Sequence, residues 1–279
     1  MSLPSNWKNI QNPKGSSLVM GILNVTTDSF SDGGQFIDRN NAVIHALEME
    51  SSGADIIDIG GESTRPGAEP ISLNEELERV IPIIEKIRSN SNVCISIDSY
   101  KADVAKKALI AGADIVNDIS GLQFDEKMVN VVSSANAPVI IMHIKGTPRN
   151  MQQDPYYENL LEEVVAYFQE RVEFCIEHGI KNENIILDPG IGFGKRLQDN
   201  FELLRKLKKI SNLGFPVLSG PSRKSFIGLT LDLPVEKRIE GTAAAVTASI
   251  LNGANIVRVH DVKEMKRVAK IADNIKGLA

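Results

Sequence analysis

Eight short apolar runs in this chain each end on, or beside, a residue that can donate, accept or carry charge. They are Asn24, Asp58, Asp98, Asn117, His143, Asp188, the group Ser222-Arg223-Lys224, and Arg258 with His260. Singly, each has an ordinary explanation: Asp188-Pro189-Gly190 reads as a turn, Asp98-Ser99 as a helix cap, Asn117 as a residue satisfying loop backbone. Eight at the same end of eight comparable runs point instead to one convergent polar site. Arg258 and His260 are two apart in an extended run and so share a side, as do Ser96 and Asp98. A cation pair at the end of a last strand suits phosphate, with a salt bridge as the alternative for Arg258 and a capping or structural role for His260. Ser222-Arg223-Lys224 opens a helical segment whose free N–H groups also favour anions, a solvated basic turn being the plainer reading.

Two polar, glycine-rich loops follow the first two runs: Thr26-Thr-Asp-Ser-Phe-Ser-Asp-Gly-Gly34 and Gly60-Gly-Glu-Ser-Thr-Arg-Pro-Gly67. Phe30 is the isolated aromatic of the first. It either docks locally or belongs to a lid that closes over substrate, and few apolar side chains are present to anchor either loop.

The elements that must position these groups alternate along the chain. Strands are expected at Leu18–Val25, Asp55–Ile59, Val93–Asp98, Asp114–Ile119, Pro138–His143, Asn184–Asp188, Pro216–Ser219 and Asn255–His260. Between them lie segments of helical period such as Asn74–Arg88, Asp103–Ala111, Glu158–Glu177, Phe201–Ile210 and Lys237–Leu251, with Ser72 and Glu75 forming a capping box. Gly53-Ala-Asp-Ile-Ile-Asp, Gly112-Ala-Asp-Ile-Val-Asn and Gly253-Ala-Asn-Ile-Val-Arg repeat one design, a glycine ending a helix and a β-branched pair starting the next strand. The pattern predicts an α/β fold: a single-domain (β/α)₈ TIM barrel over residues 1–279, with extended loops after strands 1 and 2. An open doubly wound sheet is the competitor, but no dinucleotide glycine fingerprint follows the first strand.

The bulk numbers fit. A chain of 279 residues, 42% hydrophobic and 24% charged, is long enough for one barrel. A net charge of −5 gives no overall attraction to nucleic acid or an anionic membrane. Two cysteines, a polar N-terminus and no long apolar run point to a soluble protein of the reducing cytoplasm, and to nothing more specific.

Taken in order, the segments Gly21-Ile-Leu-Asn-Val-Thr-Thr-Asp-Ser-Phe-Ser-Asp-Gly-Gly34, Asp58-Ile-Gly-Gly-Glu-Ser-Thr-Arg-Pro-Gly67, Ile97-Asp-Ser-Tyr-Lys101, Val116-Asn-Asp-Ile-Ser-Gly121, Met142-His143, Asp188-Pro-Gly-Ile-Gly-Phe-Gly-Lys195, Ser222-Arg-Lys-Ser-Phe226 and Arg258-Val-His-Asp-Val262 resemble the dihydropteroate synthase family over nearly the whole chain. Thr27 stands where proline is commoner, and Ser99 where threonine is. The resemblance implies that 6-hydroxymethyl-7,8-dihydropterin pyrophosphate and p-aminobenzoate are joined, with Mg²⁺ as cofactor and a homodimer as assembly. It implies a pterin set of Asp98, Asn117, Met142, Asp188, Phe193, Lys224 and Arg258, and a pyrophosphate set of Asn24, Arg65, Arg258 and His260, with Asn24 on the metal. The p-aminobenzoate set is Phe30, Thr64, Arg65, Pro66, Phe193, Ser222 and Lys224, and the catalytic group is Asp98, Lys224, Arg258 and His260. A pterin-dependent methyltransferase would share the barrel and the aspartate–asparagine pocket but would not need Thr64-Arg-Pro66, Ser222-Arg-Lys224 or the Arg258/His260 anion site. A silent pterin-binding paralogue would be expected to lose some loop or anion residues, and all are retained.

Overall fold

The structure, a computed structural model, describes residues 15–25 and 34–278, the side chains of 34–38 excepted. Eight parallel strands occur: β1 (Leu18–Asn24), β2 (Ile56–Gly60), β3 (Cys94–Asp98), β4 (Ile115–Asp118), β5 (Val139–Met142), β6 (Ile185–Asp188), β7 (Leu218–Ser219) and β8 (Ile256–Val259). They pair in the order β6-β5-β4-β3-β2-β1-β8-β7, and a parallel bridge from Leu187 to Val217 joins the two ends into a barrel. Every crossover carries helix, the longer ones being Gly34–Ser51, Leu73–Asn90, Leu160–Glu177, Ile239–Leu251 and Val262–Lys276. No helix among the described residues is long and apolar enough to cross a membrane.

Strand alternation divides the interior in two. Leu18, Met20, Ile56, Cys94, Ile115, Ile140, Ile186, Leu218 and Ile256 point inward and fill the barrel as one apolar plug. Their neighbours, among them Val19, Ile57, Ile59, Ile95, Ile97, Val116 and Val139, point outward and pack against the helices. The helix Leu73–Asn90 shows how the surround is built. Ser72 Oγ accepts from the Glu75 amide at 3.2 Å to start it, and Leu77, Val80, Ile83, Ile84 and Ile87 recur at helical spacing on its buried side. Each such side chain contributes roughly 1.5–3 kcal/mol on burial.

The three repeated glycines have the expected conformation: Gly53, Gly112 and Gly253 lie at φ 100°, 117° and 112°, each turning the chain from a helix into a strand. The helix expected at Phe201–Ile210 is two pieces, Leu197–Arg205 and Lys208–Ser211. It starts earlier because the Asp199 carboxylate accepts from the Arg196 amide at 2.8 Å. It breaks where Asn252 Nδ2 donates to the Leu204 carbonyl at 2.9 Å, an acceptor a continuous helix would use itself.

Candidate active site

Two residues above the apolar plug, the inward positions become Asp58, Ser96, Asn117, Met142, Asp188 and Arg258, so the barrel changes from dry core to polar floor within one step of the pleat. Asp58 is fully buried, and its Oδ2 accepts from Arg258 Nε at 2.6 Å and from Asn117 Nδ2 at 3.1 Å. Arg258 Nη2 donates to Asp98 Oδ2 at 2.6 Å. The guanidinium is therefore held by two carboxylates before any anion arrives: the salt bridge and the convergent site are both present. Burial pushes the Asp98 carboxyl up against the pull of Arg258, and neighbouring Asp58 adds to the rise. Burial also works against the Arg258 charge, but Asp58 and Asp98 more than offset it.

The loop after β6 supplies the opposite wall. Gly190, Gly192 and Gly194 all have positive φ, and a Cβ on Gly190 would lie 2.0 Å from the His143 carbonyl oxygen. That run lets the Gly190 amide donate to Asp188 Oδ1 at 2.8 Å and turns Phe193 inward, with Lys224 Nζ 4.1 Å from its ring centre. Burial raises the Asp188 carboxyl to about 6, moderated by the Gly190 hydrogen bond and then by Lys224. Burial lowers the Lys224 ammonium to about 8, Arg258 adding to the fall while Asp188 and Asp98 oppose it. Asp98, Asn117, Met142, Asp188, Phe193, Lys224 and Arg258 line one pocket together with Thr64, Ile119, Ile191 and Gly220. Apolar faces with carboxylate, amide and ammonium between them suit a flat heteroaromatic ring that carries donors and acceptors on its edge.

The profile of the family described as "Pterin binding enzyme" matches residues 20–260. A dihydropteroate synthase of Synechocystis sp. is 52% identical over 256 residues, which cover 91% of this chain and 89% of that one. The chain belongs to the dihydropteroate synthase family of pterin-binding enzymes. Its fold is that of solved members. The Yersinia pestis dihydropteroate synthase with a sulfonamide drug complex superimposes with a TM-score of 0.89 at 43% identity, covering 94% of this chain and 95% of the other. The Xanthomonas albilineans dihydropteroate synthase with 4-aminobenzoic acid gives 0.88 at 39% identity, covering 94% of each chain.

Within that family frame, the residues expected for pterin come together, all seven on one pocket. The other sets do not assemble in the same way. Thr64, Phe193 and Lys224 reach the pocket, whereas Arg65 and Pro66 are exposed on the second loop and Asn24 is exposed at the end of β1. Phe30 lies outside the described residues. Ser222 Oγ lies 3.0 Å from His260 Nδ1 and accepts from the His260 amide at 3.1 Å. Burial, reinforced by Arg258 and Arg223, lowers His260 to about 4, so near neutral pH the imidazole is uncharged and the expected cation pair is one cation beside a neutral hydrogen-bonding ring. Arg223 turns from the pocket to pair with Asp261.

Two features escaped the residue-type reading. Asp58 was visible as a strand-end acid but not as the residue that seats Arg258 and Asn117. Lys195 is buried with Nζ 2.9 Å from His143 Nδ1 and donates to the Phe193 carbonyl at 2.9 Å, bracing the Phe193 loop from behind. For Asp58 a signal existed: an acid set between isoleucines in a strand faces opposite to them, into the barrel.

Proposed function

We propose that the chain condenses 6-hydroxymethyl-7,8-dihydropterin pyrophosphate with p-aminobenzoate, giving 7,8-dihydropteroate and pyrophosphate in folate biosynthesis. The observation that carries this reading is the single pocket in which Asp188, Asn117, Asp98 and Lys224 stand between the apolar faces of Met142 and Phe193. Asp188 and Asn117 read the ring's amino and amide edge, and Lys224 supplies a donor. A ligand lacking those groups would leave buried polar atoms unpaired.

In the reaction the bond from the pterin methylene carbon to the pyrophosphate oxygen breaks, and a carbon–nitrogen bond to the arylamine forms. The electron pair leaves with pyrophosphate, and the amine loses a proton. Asp98 faces the cationic character that grows on the pterin as the leaving group departs. Arg258 and Arg65 offset the negative charge that grows on pyrophosphate, and His260, neutral and held by Ser222, donates or accepts a hydrogen bond there. Thr64, Arg65, Pro66, Phe193, Ser222 and Phe30 frame p-aminobenzoate. An arylamine is nucleophilic without a dedicated base, so holding it in line and excluding water are the remaining tasks.

No group of three or more His, Cys, Asp or Glu able to hold a metal occurs among the described residues, but exposed Asn24 suits an ion that arrives with its phosphate ligands. Mg²⁺ bound with pyrophosphate would neutralise charge on the leaving group, and Asn24 would offer it one carbonyl oxygen. The chain acts in the cytoplasm, in keeping with two free, buried cysteines, and as a homodimer. The dimer reading is supported by an apolar groove of Phe201, Leu204, Phe226, Ile227, Leu231 and Ala248, beside which Leu229 is 71% exposed. Incubation with both substrates and Mg²⁺, read as dihydropteroate formed, tests the activity. No product at any substrate concentration would reject it.

A further inference from the structure

The second loop leaves the barrel through Gly61, where a Cβ would lie 2.8 Å from Val80 Cγ1, so only glycine passes this close to the helix Leu73–Asn90. The next residue, Glu62, is the hub of a polar cluster. Its Oε1 accepts from Tyr100 Oη at 2.6 Å, and its Oε2 accepts from Lys101 Nζ at 2.5 Å and from the Ile71 amide at 3.2 Å. Lys101 Nζ also donates to the Ile71 carbonyl at 2.8 Å and to Glu76 Oε2 at 2.6 Å. One ammonium and one carboxylate thus tie together both ends of the segment 63–70. At its far side that segment rests on the loop after β5, where the Gly67 amide donates to the Pro148 carbonyl at 3.1 Å.

The cluster is out of water: the Glu76 and Glu62 side chains are 1% and 8% exposed, and that of Lys101 18%. Burying such charges gains little net stability over apolar packing, but it fixes one geometry. Burial works against the Lys101 charge, yet the hydrogen bonds to Glu62 and Glu76 outweigh it and hold the pKa above its ordinary value. The cluster also reaches the pterin pocket. Tyr100 and Lys101 sit in the turn that begins at Asp98, and the Tyr100 ring packs on the group Ile119, Met142, Met151 and Phe193. Thr64, within the tied segment, lines the same pocket.

We propose that Lys101, acting with Glu62 and Tyr100, is a positioning residue that sets the Thr64-Arg65-Pro66 segment where p-aminobenzoate must bind. It holds the loop to the strand end that carries Asp98, so the two substrate sites keep one spacing. The proposal rests on the reading above that this segment frames p-aminobenzoate.

The test uses Glu62→Gln, Tyr100→Phe and Lys101→Met in the full chain. Glu62→Gln leaves Lys101 its bonds to Glu76 and Ile71, and Tyr100→Phe removes one hydroxyl, so these two carry the test if Lys101→Met fails to fold. The expected result for Glu62→Gln is a Michaelis constant for p-aminobenzoate raised about tenfold, the scale of one charge-assisted hydrogen bond. Tyr100→Phe should raise it less, with pterin affinity by calorimetry unchanged in both. Amide exchange at Ile71 in the free protein should quicken in Glu62→Gln, and unaltered exchange there overturns the latch. Thr64→Ala separates the two ideas. Where it raises that Michaelis constant and Glu62→Gln does not, Lys101 is not a positioning residue. Where neither raises it but exchange quickens, the latch stands and the segment's p-aminobenzoate role fails.

Discussion

On one side of the barrel mouth the recognition groups stand on strand ends and are buried before any ligand arrives; on the other they stand on loops and are exposed. Asp98, Asn117 and Asp188 belong to the first kind, with Arg258 mostly buried beside them, and Arg65 and Pro66 belong to the second; Asn24 ends β1 but is exposed like the loop residues. The strand-borne side is held by bonds such as Arg258 to Asp58, while the second loop is held at its base by Glu62 and Lys101 and leaves its tip in solvent. A ring read by shape and edge needs preformed partners, because any unpaired buried group is costly. A leaving group and a second substrate need access first and enclosure later.

The strand-borne side gives the largest expected effect. Asp58→Ala strips an acceptor from both Arg258 and Asn117 and should cost about 3–5 kcal/mol of stability, as breaking buried ion pairs does. Urea unfolding measures this. Unchanged stability would mean that the floor is not held by Asp58, and the contrast between the two sides would lose its basis. Next is Asp188→Asn, which retains an acceptor for the Gly190 amide but loses the charge that faces the ring. Pterin affinity should weaken by about 1.5–3 kcal/mol with little change in unfolding. Equal affinity by calorimetry would remove Asp188 from the recognition set.

How much of this was open to a reader of the chain alone follows the same division. Eight strands were legible because inward and outward residues alternate and because Gly53, Gly112 and Gly253 mark three strand starts. Asp98, Asn117, Asp188 and Arg258 of the pocket were legible because they lie at the ends of those strands, whereas Met142 and Phe193 came only with the family resemblance. Asp58 was harder, since its partner Arg258 is 200 residues away and no local pattern pairs them. The polar anchoring of the second loop was missed for a related reason. A search for apolar anchors finds few, whereas the anchors are Lys101 and Tyr100 from the following strand end. His260 was read as a cation from its residue type, but charge depends on burial, which the sequence does not state.

The smaller pH effect sharpens the contrast, because only the buried side should show it. Asp188, raised to about 6, contributes stability at low pH that is lost as pH rises through that value. Lys224, lowered to about 8, contributes stability at high pH that is lost as pH falls through about 8. Between the two the free pocket carries both penalties, and a bound pterin that uses carboxylate and ammonium relieves them. Thermal stabilisation by the pterin substrate should therefore peak between about pH 6 and 8. It should fall on the acid side as Asp188 takes a proton and on the alkaline side as Lys224 loses one. Asp188→Asn should flatten the acid limb. An acid limb unchanged in that variant assigns the titration elsewhere.

The smallest effect on pterin affinity is expected from the loop side, and it is the most direct test of the division. Arg65 is exposed, and its only hydrogen bond to a side chain among the described residues runs from its amide to Ser63 Oγ at 3.4 Å. Arg65→Ala should leave calorimetric affinity for a pterin without pyrophosphate unchanged, because nothing in the ring pocket depends on the guanidinium. On the roles proposed for Arg65 toward the leaving group and the amine, the same variant should raise the Michaelis constants for the pterin pyrophosphate and for p-aminobenzoate. Charge-assisted contacts of this kind, partly open to water, suggest about a tenfold change. If pterin affinity fell as well, the loop would be part of the ring pocket, and the mouth would be one continuous preformed site rather than a fixed half and a half completed on binding.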